Sequence, residues 1–269
     1  MSSHLRIQSA NGRHCATVST LGARLLQWSF DERELIFAPA SITDDERVAQ
    51  HGGIPVLFPQ FGLFGPGRKH GVVRDMEWDV ETHAADSVRL RTRIPQDVHG
   101  DFELTVQVNL HKDGPVVHLS AVNVSDQAVE ITCGLHTYVR VPDIREVELH
   151  GLEHTAYEDA LNGLMVTPAS ERVLSVPINV DRVYTKTPPS LMLKTPDYDI
   201  AIEQSGFGDT VVWNPGPAIA SGFVDLLESD WQAFLCVEAA QIRPPLTLEP
   251  RGTWHGSQQL RVVRVTASV

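Results

Sequence analysis

Apolar and polar residues alternate with a period of two along much of this chain. Over residues 103–110 the alternation is unbroken. Leu104, Val106, Val108 and Leu110 fall on one face, and Glu103, Thr105, Gln107 and Asn109 on the other. Successive side chains of a strand leave on opposite sides, so this is the pattern of a half-buried antiparallel strand. Val88, Leu90 and Ile94 alternate in the same way with Arg89, Arg91 and Arg93. Leu26, Trp28 and Phe30 repeat the pattern near the start, and Leu260 and Val262 near the end. Turn signals separate the runs: Ser-Ala-Asn-Gly at 9–12, Asp-Glu-Arg at 31–33, Lys-Asp-Gly at 112–114, Ser-Asp-Gln at 125–127 and Pro-Arg-Gly at 250–252. Short strands punctuated by turns predict an all-β fold, a large antiparallel β-sandwich. No helical period is sustained, and a short helix is expected only within 216–230. With no linker, repeat or low-complexity tract, residues 1–269 read as one domain.

Two stretches interrupt the alternation. Residues 51–67, HGGIPVLFPQFGLFGPG, crowd glycine, proline and aromatic residues together, and residues 239–251, AAQIRPPLTLEPR, follow a strand-like Phe-Leu-Cys-Val-Glu. Proline removes a ladder hydrogen bond, so both are expected to be ordered loops, where sites are often built.

Composition narrows the function. The 269 residues, 42% of them hydrophobic, suffice for a full core. A formal charge of −12 disfavours nucleic acid and anionic bilayers as partners, and it obliges any anionic ligand to find local positive charge. Cys15, Cys133 and Cys236 are far apart, with no CxxC spacing. They form neither a disulfide framework nor a cysteine-based zinc motif, and no metal is expected. The first residues lack the apolar core of a leader, and no apolar run is long enough to span a bilayer, so a cytoplasmic location is expected.

No phosphate-binding glycine loop, GxSxG or HExxH pattern is present. The chemistry falls to dispersed side chains. His136, near the end of the strand-like run before Val-Pro-Asp, is either a general acid or a buried histidine bonded to a carbonyl. Glu238 shares a face with Phe234 and Cys236. It is either a buried carboxylate of raised basicity or the partner of a cation such as Arg243. Lys69, His70 and Arg74 are either an anion or hydroxyl site or a solvated basic turn. Asp181 and Arg182 either bond vicinal hydroxyls or form a surface ion pair. Trp213 is a sugar-facing wall or simply core.

The same residues resemble a known family. His51-Gly-Gly-Ile-Pro-Val-Leu-Phe-Pro-Gln-Phe-Gly is similar to the signature of the hexose-6-phosphate 1-epimerases, relatives of the aldose 1-epimerases. His70-Gly-Val-Val-Arg74 with Trp78, Asp101-Phe-Glu-Leu, Leu135-His-Thr-Tyr, Asp181-Arg-Val-Tyr, Val212-Trp-Asn-Pro, Cys236-Val-Glu and Leu248-Glu-Pro-Arg-Gly-Thr-Trp follow in the family's order. The resemblance implies a sandwich of the galactose mutarotase-like type with its site on a concave face. It implies Glu238 as general base and His136 as general acid, with His70 and Asp181 on substrate oxygens and no cofactor. The substrate would be a small sugar or sugar phosphate, handled by a monomer or weak homodimer. Two departures bear on the phosphate end. His51 stands where the family has an arginine, Lys69 stands where it has a glutamine, and Arg74 is retained. Ala239 and Gly216 also replace a proline and a tryptophan. A mutarotase for unphosphorylated aldoses and a non-catalytic carbohydrate-binding protein are the alternative readings.

Overall fold

The computed structural model describes residues 3–40, 51–97, 99–170, 173–176 and 179–266. The faultless alternation lies in the strand Gly100–His111, where Phe102, Leu104, Val106, Val108 and Leu110 are buried. It pairs antiparallel with Ser87–Asp97 and Gly114–Asn123, so that Leu104 lies opposite Thr92 on one side and Ala121 on the other. These strands belong to a nine-stranded antiparallel sheet. Its order is Leu174–Ser175, Glu148–His150, Ser190–Lys194, Tyr198–Ser205, Thr253–Val265, Gly114–Asn123, Gly100–His111, Ser87–Asp97 and Asp79–His83.

An eight-stranded sheet runs Met165–Thr167, Tyr157–Asp159, Val180–Thr185, Asp209–Asn214, Phe234–Leu248, Val129–Leu135 and Val56–Leu57, and Tyr138–Arg140 pairs beside Phe234–Leu248. A four-stranded sheet of His4–Gln8, His14–Ser19, Leu25–Phe30 and Arg33–Glu34 completes the fold. Leu104, Val106, Leu119 and Ile200 of the nine-stranded sheet share one apolar cluster with Leu135, Val212, Leu235 and Val237 of the eight-stranded sheet. The expected all-β sandwich is therefore the fold observed. Among the described residues no helix is long and apolar enough to cross a membrane.

The side chains of Phe234, Cys236 and Glu238 leave their strand on the face opposite Leu235 and Val237. Leu235 and Val237 enter the core, whereas Phe234 and Cys236 pack with Tyr138 and Trp213. The eight-stranded sheet thus has one face in the core and one face carrying the candidate chemistry.

Two expectations need correction. Most of residues 239–251 is not a loop: the strand Phe234–Leu248 runs through Pro244 and Pro245, only 249–251 leave it, and Glu238 lies within it rather than at its end. The ladder accommodates the prolines by skipping them. Ile131 pairs with Leu246 and Cys133 with Gln241, so the residues between are looped out of register. The Asp209 carboxylate accepts the freed N–H groups of Ile242 and Arg243 at 2.8 and 2.7 Å. Residues 51–67 are mostly loop, as expected, but Val56–Leu57 joins the sheet edge. The loop is held by polar ties. Gln60 donates to the carbonyls of Gly62 and Gly67 and accepts from the Gly67 N–H, while Thr132 accepts from Phe61 N–H and donates to the Phe64 carbonyl. The expected helix is a short one, Gly216–Ala220.

Gln258, only 2% exposed, joins the two large sheets. Its amide donates to the Val237 carbonyl at 3.0 Å and accepts from the Thr137 hydroxyl. Replacing Gln258 by Leu strands both groups in the core at about 1–3 kcal/mol each. The variant is expected to melt well below the parent in thermal denaturation, whereas Gln258→Glu at a pH that keeps the new carboxyl protonated recovers part of the loss.

Candidate active site

Thr137 and Val237 fix the two central side chains. The Val237 N–H donates to the Thr137 carbonyl at 3.1 Å, and the His136 N–H donates to the Pro55 carbonyl at 2.9 Å. Immediate neighbours of these ties, His136 and Glu238, meet on the outer face. The His136 Nδ1 and Glu238 Oε2 atoms lie 3.5 Å apart. The residues are 8% and 1% exposed, and neither of these atoms has a hydrogen-bond partner among the described residues. The proposed pairing of Glu238 with Arg243 does not occur, because Arg243 bonds Glu158 through two contacts of 3.2 Å. His136 is buried, but its Nδ1 is not spent on a structural carbonyl.

Burial and charge set the protonation. Burial pushes the Glu238 carboxyl well above its ordinary value, and nearby Asp181 pushes it further. Burial holds His136 well below its ordinary value, and His70, Arg74 and His51 act in the same direction. Without a sugar, the favoured arrangement is a neutral carboxylic acid facing a neutral imidazole. The pair therefore carries one transferable proton.

The remaining predicted residues gather around it. The His70 ring lies 5.8 Å from the His136 ring. Burial, then Arg74, Lys69 and His51, hold His70 down to about 3, so it is neutral. Its Nδ1 accepts the Gly62 N–H at 3.3 Å, which leaves the proton on Nε2 as a donor. Gly71 makes this turn feasible: its φ is +72°, and an added Cβ would lie 2.0 Å from the Phe58 carbonyl oxygen. Trp213 forms a wall, stacked with His51 at 6.1 Å and edge-on to His136 at 5.7 Å. Asp181 lies close enough to raise Glu238 and is itself raised by burial to about 6, against the pull of Lys69. Arg182 faces away, over the Tyr157 ring at 4.4 Å, so it does not join Asp181 at the site. Arg74, in the short helical turn Val73–Asp75, projects its charge onto both His70 and His136. Arg68 is turned to Asp75 on the surface, which leaves Lys69 as the added cation.

His51 has a partner that nothing in the sequence indicated. Its ring Nδ1 lies 2.9 Å from Asp225 Oδ1, and its main-chain N–H donates to Asp225 Oδ2 at 2.9 Å. Burial alone would raise Asp225, but the hydrogen bonds from His51 outweigh it and hold the carboxyl below its usual range. Phe223 packs on the same ring at 4.1 Å, and Tyr138 stacks on His136 at 4.7 Å, nearly parallel. Tyr138 stood inside a motif and its orientation follows from strand alternation. Asp225 and Phe223 lie in an irregular segment with no pattern to betray them. A separate polar groove of about 440 Å³ crosses the outer face of the nine-stranded sheet beside Arg89, Gln107, His118, His255 and Ser257. No carboxylate lines it, so it offers no acid/base pair.

The family model described as aldose 1-epimerase matches residues 4–261. The chain belongs to the aldose 1-epimerase family. The protein named "Putative glucose-6-phosphate 1-epimerase" from Cenchrus ciliaris is 28% identical over 93% of this chain and 82% of its own length. The Escherichia coli protein of the same name is 27% identical over 93% and 87%. The crystal structure of a protein described as a putative mutarotase from Salmonella typhimurium superposes with a TM-score of 0.83 at 23% identity, covering 96% of this chain and 90% of that one. Membership of the aldose 1-epimerase family makes sugar-anomer exchange the activity of this chain.

The buried carboxyl has a pH signature. A carboxyl raised in the folded state contributes fully below the ordinary glutamate value of about 4.3, and its contribution is lost as pH rises through the folded value. Glu238→Gln removes that loss. Its melting temperature is expected to exceed the parent's at pH 8 and to converge with it near pH 4. Equal differences at both pH values would show that Glu238 is ionised in the folded state.

Proposed function

We propose that the substrate is an aldohexose 6-phosphate of the glucose 6-phosphate type, and that Glu238 and His136 open and close its ring. The observation that carries this reading is the 3.5 Å separation of two buried groups with unpartnered facing atoms. Glu238 takes the proton from the anomeric O1 hydroxyl while His136 gives one to the ring oxygen. The C1–O5 bond breaks and an open-chain aldehyde forms. Rotation about C1–C2 presents the other carbonyl face. In closure the protonated Glu238 returns its proton to O1, and His136 takes the hydroxyl proton from O5. The proton count of the pair is the same before and after, and ring opening converts an ionised pair into the neutral one that burial favours. Substrate hydroxyls supply the hydrogen bonds that the two groups lack, with the His70 Nε2–H as a further donor and Asp181 as acceptor. Arg74 and Lys69 provide the local positive charge that a phosphoryl group needs in a protein of charge −12. The names of the relatives support the same substrate class.

Glu238→Gln is expected to lower the enzymatic rate of anomer exchange by about 10²–10⁴-fold, read by saturation-transfer NMR on glucose 6-phosphate. Unchanged rates would remove Glu238 from the reaction. The one-proton state fails when His136 gains a second proton, well below its ordinary value, or when the raised Glu238 loses its own. The pH profile of kcat/KM is therefore expected to form a plateau through neutrality that extends below pH 6. Arg74→Ala is expected to weaken glucose 6-phosphate more than glucose. Equal weakening of both would favour an unphosphorylated substrate.

A further inference from the structure

The ring-opening scheme gives Cys236 no task. Its thiol is fully buried on the same face of the strand as Glu238 and lies against Tyr138 and Trp213. One ligand-type atom from each of His136, Cys236 and Glu238 falls within a space where all three lie within 4.8 Å of one another. His136 Nδ1 and Glu238 Oε2 are both buried without a hydrogen-bond partner among the described residues. A buried polar atom left unsatisfied costs free energy unless something occupies the gap.

We propose that His136, Cys236 and Glu238 form a site for a borderline-soft divalent cation of the Zn²⁺ class, and that an ion bound there blocks the acid/base pair. Thiolate, imidazole and carboxylate are the donors such ions prefer, with metal–ligand distances of about 2.0–2.3 Å. A tetrahedral ion with these distances separates its nitrogen and oxygen ligands by about 3.3 Å and sets sulfur about 3.5 Å from either. The 3.5 Å between His136 and Glu238 is already close to this, and the sulfur lies within 4.8 Å of both.

Charge favours the same assignment. Binding releases the thiol proton of Cys236 and the proton held by the His136–Glu238 pair. Thiolate and carboxylate then carry two negative charges against the two positive charges of the ion, with a neutral imidazole as third ligand. The filled site is electrically neutral, which is what a buried site requires. Three protein ligands leave a fourth position on a tetrahedral ion for water or substrate. The spacing of the cysteines hid this site, because only one of its ligands is a cysteine.

The binding proposal stands independently of the reaction, whereas the blocking rests on the proposed roles of Glu238 and His136. Titrating the full metal-stripped chain with Co²⁺ reads binding directly, through the near-ultraviolet sulfur-to-cobalt charge-transfer band. The band is expected in the parent and in Cys15→Ser, to be displaced by Zn²⁺, and to vanish in Cys236→Ser and Cys236→Ala, whose fold is checked by near-ultraviolet circular dichroism. Zn²⁺ is expected to slow anomer exchange in the parent. Cys236→Ala retains exchange and loses sensitivity to Zn²⁺ by at least the 10–100-fold, roughly, that lesser changes around metal ligands cause. No band, or a band that survives Cys236→Ser, overturns the site while leaving the ring-opening scheme untouched. Full-rate exchange with the site filled overturns the blocking. A Cys236-dependent band in a protein that exchanges no anomers upholds the site and sinks the proposed function instead.

Discussion

The fold depends on one small cross-strand arrangement: the Val237 N–H on the Thr137 carbonyl, with Gln258 bonded to both residues from the opposite sheet. Each of these residues faces or lines the core, and each stands next to a side chain that faces outward. The strand sends Glu238 to the face opposite Val237, and the His136 N–H bond to the Pro55 carbonyl holds His136 in place. The core is thus the mould in which the outer face is set. A shift of one residue in the register of the Phe234–Leu248 strand would exchange its outer face for the core face.

The arrangement is stable although it contains a liability. A carboxyl and an imidazole enclosed together without other partners cost free energy as ions and less as a neutral pair. The protein tolerates the pair because its proton can move between the two groups without changing the net charge. The charge of Arg74 bears on both His70 and His136, and that of Lys69 on His70 and Asp181. Asp225 ties His51, in one loop, to another loop across the pocket.

Much of the fold was legible because burial on one face writes a period of two into the sequence, as at Leu104 to Leu110. The strand through Pro244 and Pro245 was not legible, because its exception to the proline rule depends on Asp209, a residue distant in sequence that accepts the displaced N–H groups. Glu238 and His136 were visible as motif positions, but their meeting required the register of three strands. His51 was visible as a substitution, and its meaning changed once Asp225 appeared beside it. Residues such as Asp225 and Phe223 act through space, and no spacing rule connects them to His51.

The origin of the central ties along the chain has a consequence for how the molecule assembles. Thr137, Val237 and Gln258 are far apart in sequence, and the pair they position closes only when distant strands have met. Hairpins such as the one through Lys112 and Asp113 close short loops and can form early. The contacts that make the site are among the most non-local in the fold, so they carry the largest loop-closure entropy and belong to the last stages of folding. A partly folded chain would possess much of its sheet structure and none of its activity, so catalysis serves as a measure of complete folding.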